Sequence, residues 1–425
     1  MLGVTFGIAV AVGNTIGAGI LRAPGSIASH FPEFAPYITI WIVGGVYALL
    51  GANAVAELGT LVPRSGGQYV FVRHALGDYA GFVVGWSDWI STCGTTAVVS
   101  ILFGEYLVGL IPELRTQVLV ALLMLTLLTV VQWFGVRSSG GVQTATSIIK
   151  TAALLILVVA CFILGTQNPL ASTMQVEREM PLIVAVVLSL QAVIYTYDGW
   201  TAPIYFSEEM RDHGRTIPRA IFGGVLTVLV VYLLINVAFA RVVPLPTLAG
   251  KNFAAAAVAE HLFGIHGDTV LRVIMVAALM SAVNANVLMA PRVLFAMSSD
   301  GLFWRGATEV NRGGTPDVAL LVSSILAAAF IVTGTFDAVI AKLAFFFVAN
   351  YTLSFISLFV LRHREPAADR PYRAWGHPVT TAIALIGSVV FLGIAVYFDA
   401  RNSVYSLGLL ALSVPAYALV KATRT

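Results

Sequence analysis

Charged residues make up only 11% of the 425-residue chain, less than half the roughly 25% of a soluble domain. So few charges cannot clothe a water-facing surface, which excludes a soluble fold. Two cysteines, Cys93 and Cys161, are too few for a disulfide scaffold, and both lie inside apolar runs, so neither points to a redox role. Glycine shows no period of three, which excludes a collagen-like repeat. The seven histidines fall in or beside polar connections, and neither HxxxH nor HExxH occurs. An intramembrane metalloenzyme therefore has no ligand set, and no metal or cofactor is expected. A net charge of +3 is too small to argue for nucleic acid, and no Lys/Arg run forms a polybasic tail. The first apolar run is about as long as a span and lacks a basic n-region, so it reads as a retained helix rather than a cleaved signal peptide.

What the chain has in abundance is apolar length: 58% of its residues are hydrophobic. The composition predicts an all-α polytopic membrane protein lying in the lipid bilayer. Apolar runs bounded by charge and by Gly or Pro give twelve transmembrane helices: 3–22, 36–60, 79–110, 117–136, 141–165, 181–206, 219–242, 266–299, 317–335, 338–362, 378–398 and 403–421. The third and eighth exceed the thickness of a bilayer and are expected to tilt or to run past its surface. With the first span running outward, 15 of the 24 Lys and Arg fall on one side and 8 on the other, with Lys150 inside a span. The bias puts both termini in the cytoplasm of a multi-pass cell (inner) membrane protein.

Two of these spans carry a break at mid-depth. The first contains Gly13-Asn14-Thr15-Ile16-Gly17-Ala18-Gly19, and the sixth contains Tyr195-Thr196-Tyr197-Asp198-Gly199-Trp200-Thr201-Ala202-Pro203. Gly and Asn weaken a helix, and Pro removes one of its hydrogen bonds. Broken backbone survives inside a membrane only when buried in protein or lining a wet cavity. The breaks occupy corresponding positions if spans 1–5 and 6–10 are repeats, a pattern that points to the central site of a transporter. Taken singly, Gly17 and Gly19 could serve close helix packing, and Asp198 a structural hydrogen bond; the pairing favours function. An unwound stretch frees N–H groups at one half-helix start, suited to a carboxylate, and C=O groups at the other's end, suited to an ammonium. An α-amino acid carries both charges close together. Tyr195 and Trp200 could close a gate over it.

Several motifs in order resemble the amino acid–polyamine–organocation superfamily, and within it bacterial relatives of the L-type amino acid transporters. They are the first glycine-rich break, Glu57-Leu58-Gly59-Thr60, Pro63 to Tyr69, Tyr197-Asp198-Gly199-Trp200 with Glu208-Glu209-Met210, Ile217-Pro218-Arg219-Ala220, Ala290-Pro291-Arg292, and Pro371 to Gly376. The resemblance implies a leucine-transporter-like fold: two inverted five-helix repeats, residues 1–165 and 181–362, then two further helices in 378–421. It implies that the backbone of Gly17, Ala18 and Gly19 receives the substrate carboxylate, and that carbonyls at Thr15, Tyr195 and Asp198, next to Gly199, receive the ammonium. Ala18 stands where many relatives have Ser, and Tyr195 where an aromatic gate, commonly Phe, stands. Asp198 replaces a Gly of the animal transporters, which leaves its side-chain role open.

Lys150 lies nine residues inside the fifth span, too deep for easy snorkelling. The resemblance implies that such a Lys fills the space of a sodium ion between the first, fifth and eighth helices, with Ser281 as a partner. The alternative is a Lys that reaches the cytoplasmic headgroups. Animal L-type transporters bind a glycoprotein through a Cys between spans three and four. The corresponding stretch here, Ile111 to Thr116, has none, so no disulfide-linked partner is expected. The expectation is therefore a sodium-independent amino acid transporter, not an enzyme, working by exchange or proton coupling. A carrier of cationic amino acids or polyamines is the near rival. An intramembrane enzyme or receptor is the distant one, for which the chain offers neither a catalytic constellation nor a ligand domain.

Overall fold

A computed structural model describes residues 3–64, 66–134, 139–165, 180–311 and 315–422, with the side chains of 139–151, 209 and 265 outside the description. The first span is α1 (Val4–Thr15) and α2 (Ala18–His30), bent by 48° at a short break. Then come α3 (Phe34–Leu61), a short α4 (Gln68–Leu76), α5 (Asp78–Leu110), α6 (Gln117–Trp133) and α7 (Ser139–Leu164). The sixth span is α8 (Leu182–Tyr197) followed by a 3-10 segment, Ala202–Glu209. The remainder is α9 (His213–Val242), the short α10 (Leu245–Leu248) and α11 (Ala254–Phe263), α12 (Ile265–Ser299), α13 (Asp317–Thr333), α14 (Phe336–Arg364), α15 (Val379–Phe398), α16 (Ala400–Ala411) and α17 (Ser413–Ala422). No strand occurs among the described residues. Among the described residues, eight helices are long and apolar enough to cross a membrane, nine with the bent pair, and the shorter apolar α6, α7 and α13 bring the number to twelve.

The described chain is turned inside out relative to a soluble protein. Leu123, Ile325, Ile386 and Leu419 point outward with 61–68% exposure, as lipid contact requires. Trp41, Tyr37, Tyr106, Tyr232 and Tyr351 are sealed in the interior. Lipid competes well for apolar surface, so packing and interhelical hydrogen bonds hold such helices together. Tyr37 donates to Asn236, Trp89 Nε1 to Ser323 Oγ at 2.9 Å, and Ser87 to Asn350 Oδ1 at 2.5 Å.

Two details depart from the expected segmentation. The first span continues to His30 instead of ending near residue 22, because Arg22, Ser26, Ser29 and His30 line a space of about 370 Å³ rather than facing lipid. The helix α4 was not anticipated: nine residues are too few for a span, but its face through Tyr69 to Val72 and Ala75 is buried.

At the face that carries the amino terminus, the motif from Pro371 to Gly376 straps the molecule. Glu57, fully buried near the end of α3, accepts both arms of the Arg362 fork at 2.8 and 2.6 Å. Arg370 Nε lies 3.1 Å from it, and the Ala374 N–H donates to it at 2.6 Å. Asn53, one turn earlier, accepts from the Tyr372 hydroxyl at 2.7 Å and donates to the Trp375 carbonyl at 2.9 Å.

Candidate functional site

The first break begins where Thr15 turns its own hydroxyl back onto the Ala11 carbonyl at 2.7 Å, a local bond that competes with the helix. Ile16 (φ −74°, ψ 88°) and Gly17 (φ −137°, ψ −143°) leave helical geometry, and α2 starts at Ala18 with no side-chain cap. Its first N–H groups are thus left for something else to satisfy. In the sixth span α8 ends at Tyr197, Asp198 is extended, and Gly199 has φ +112°, a conformation natural only to glycine. Pro203 follows near the start of the 3-10 segment, where a missing N–H costs little.

The two breaks interlock. A Cβ on Gly19 would sit 2.8 Å from the Thr196 Cα, and one on Gly199 would sit 3.0 Å from the Thr15 nitrogen. Both glycines therefore admit the other segment's backbone. The hydroxyl of Tyr232, from α9, lies 2.7 Å from the Thr15 carbonyl and 3.0 Å from that of Thr196, donating its single proton between them.

A cavity of about 170 Å³ lies against this junction. Thr15, Gly17, Ala18, Gly19, Tyr195, Asp198, Gly199 and Ser281, all expected from the sequence, line it. A Cβ on Gly17 would meet nothing nearer than the Thr15 oxygen at 3.9 Å, so this glycine faces open space where Gly19 does not. Trp200 stands one layer back: it is buried against the Tyr351 ring at 5.2 Å and does not reach the cavity. The side chain of Lys150 lies outside the described residues. Its position on α7 is one turn before Leu154, which lines a cleft of about 20 Å³ with Ile16, Gly17, Ala18, Met275 and Ala282.

Other lining residues were missed. Asp88 of α5 faces the cavity with its carboxyl accepting from the Tyr205 hydroxyl at 2.8 Å, as Asp198 accepts from Tyr351 at 2.5 Å. Asp88 carried a signal, a carboxylate inside a long apolar run, the same rule that singled out Asp198. Gln68, Asn286 and Asn350 also line the cavity; Gln68 falls in the Pro63 to Tyr69 motif, which gave it no site role, and nothing in the local sequence marks the two asparagines.

A family model described as amino acid permease matches residues 3–416. The chain belongs to the amino acid permease family. It is 26% identical to the serine/threonine exchanger SteT of Bacillus subtilis (strain 168) over 424 residues, covering 98% of this chain and 95% of SteT. It is 26% identical to the human b(0,+)-type amino acid transporter 1 over 402 residues, covering 93% of this chain and 82% of that one. The mouse Asc-type amino acid transporter 1 is 28% identical over 383 residues, 88% of this chain and 72% of that one.

The permease's cavity is closed toward the face opposite the amino terminus. There Tyr195 stands edge-on to Phe336, ring centroids 6.3 Å apart, and the Arg22 guanidinium covers Phe336 at 4.4 Å. Arg22 donates to Glu105 at 2.6 Å and to Asp337 at 3.2 Å, tying α2 to α5 and α14. Toward the amino-terminal face the lining continues to Gln68, Tyr205 and Val293, and Asn14 is exposed. Among the described residues no Lys, Arg or His lines the cavity, and its acidic groups are the two carboxyls of Asp88 and Asp198.

Proposed function

We propose that this permease exchanges L-amino acids across the cell membrane by alternating access, without sodium, with its amino-terminal face in the cytoplasm. The 15-to-8 division of Lys and Arg supports that orientation, and the closed stack over Tyr195 then belongs to an inward-facing state. The observation that carries the reading is the interlocked pair of breaks. The uncapped start of α2 offers N–H groups to a carboxylate, and the end of α8 beside Asp198 offers acceptors to an ammonium, both on one cavity. The repeats are 1–165 and 181–362, with one break opening each, and the helices in 378–421 stand outside them. Relatives named as exchangers and amino acid transporters support exchange. No catalytic step and no disulfide-linked partner are needed; both cysteines are buried.

On this reading, which for Lys150 rests on the sequence alone, Lys150 takes the role of a coupling cation with Ser281 as its partner. Proteoliposomes preloaded with unlabelled amino acid should take up labelled substrate equally in sodium or choline, and empty ones should not. Lys150→Ala should lower that uptake at least tenfold, about 1.4 kcal/mol. Uptake that needs sodium, or an Ala variant equal to wild type at every pH, would sink this assignment.

A second reading within the class follows from Asp88. Two carboxyl groups and, among the described residues, no basic side chain favour a substrate with an additional positive charge, a cationic amino acid or polyamine. Competition separates the readings: lysine or putrescine blocking uptake of neutral amino acids, and losing that power in Asp88→Asn, favours the cationic substrate.

A further inference from the structure

Outside the Arg22 closure lies a second space, larger than the central one, of about 370 Å³, within the ~300–1,000 Å³ usual for small-molecule sites. The wall between the two is thin. Leu188, Gln191 and Ala192 of α8 line the outer space, and Tyr195 lines the inner one, a separation of one helical turn, about 5 Å.

The outer walls carry both signs of charge. Arg22, Lys251, Asp337 and Asp399 all line the space, with Arg22 and Asp337 3.2 Å apart. The Asp399 carboxylate is held by two amides: Gln191 donates to it at 2.9 Å and Asn402 at 3.0 and 3.1 Å. Amides fix its orientation without cancelling its charge, and among the described residues no cationic side chain stands within 4.0 Å of it. Lys251, exposed at the rim, forms no ion pair among the described residues. Among the described residues, an anion and a cation that form no ion pair thus face one cavity, with the Lys342 ammonium within electrostatic reach of Asp399.

We propose that this vestibule is a second amino acid site, resting on the transport reading above. Arg22 and Lys251 receive the carboxylate, Asp399 receives the ammonium, and occupancy releases the closure. The two arms of Arg22 differ. The contact to Glu105 is short, and Glu105 is 13% exposed; the contact to Asp337 is 3.2 Å, and Asp337 is 56% exposed. A substrate carboxylate replaces Asp337 like for like on a planar fork built for carboxylates. The guanidinium keeps its charge balance while its ion pair to α14 is released, leaving its stacking over Phe336 as the remaining tie. Asp337, once released, is a further acceptor for the ammonium. The substrate itself thereby supplies the difference in affinity that a shift between states requires.

The test uses two variants outside the central cavity, Asp399→Asn and Lys251→Gln, on different elements so that a folding defect in one does not decide the outcome. The outer KM is taken from uptake into intact cells exchanging against an internal pool, and the inner KM from efflux of preloaded label. The outer KM is expected to rise roughly tenfold, the scale of one lost charge-assisted contact, with the inner KM unchanged. An outer KM that stays put in both variants, or inner and outer values that rise together, would overturn the vestibule site. Wild-type protein that exchanges no amino acid from either side would instead overturn the transport reading.

Discussion

Two glycines two residues apart in the first break ask different things of a methyl group. At Gly17 an added Cβ points into the cavity with its nearest neighbour at 3.9 Å. Gly17→Ala should leave stability within about 0.5 kcal/mol yet raise KM, because the methyl stands where a carboxylate approaches the α2 amides. At Gly19 the added carbon would lie 2.5 Å from the Thr196 hydroxyl oxygen and 2.8 Å from the Thr196 Cα. A backbone atom cannot rotate away, so Gly19→Ala should cost about 1–3 kcal/mol of stability through overpacking and lose transport with it. Thermal unfolding in detergent beside exchange kinetics separates the two. A Gly19 variant with wild-type stability would show that the breaks are not locked together as described.

At the scale of elements, α9 and the strap formed by the Pro371 to Gly376 motif hold other helices in place. Tyr232 binds α9 to both breaks through one hydroxyl. Tyr232→Phe keeps the ring and removes that donor from two buried carbonyls, so the expected loss is about 1–3 kcal/mol with impaired exchange; unaltered melting and kinetics would count against it. The strap rests on Glu57. Glu57→Ala leaves Arg370, 4% exposed, and the inner arm of Arg362 without their carboxylate. Removing one partner of a buried pair costs about 3–5 kcal/mol, which should appear as a large drop in melting temperature. Glu57→Gln keeps an acceptor for the Ala374 N–H and should fall between.

For the molecule as a whole, the twelve spans, their order and both breaks were legible because lipid imposes long apolar runs and tolerates interruptions only at wet, protected places. Residues reached by backbone, Gly17, Ala18 and Gly199, stand on the cavity as the interrupted pattern implied. Side chains reached through tertiary packing were not legible. Gln68 comes from α4 and Asn350 from α14, more than two hundred residues apart in the chain, and only folding brings them to one wall. Trp200, next to the break, turns toward Tyr351 and α3 instead of the cavity, since neighbouring positions on a kinked segment need not share a face. Lengths erred where polar residues line an interior space: Arg22 looks like the end of a span, yet α2 runs on through Ser26 and Ser29 to His30.

The helix α5 acquires a mechanical meaning from where it is held. Glu105 near one end is gripped by Arg22 of the first broken span, and Asp88 toward the other by Tyr205 of the second. Seventeen residues separate the grips, about 25 Å of continuous helix. A rod of that length, clamped at its ends by different moving parts, behaves as a lever. Letting go of one clamp allows it to swing about the other, so widening the gap at one face presses the opposite gap shut. The stiffness of an uninterrupted helix, set beside two that are broken, then keeps both mouths from standing open together.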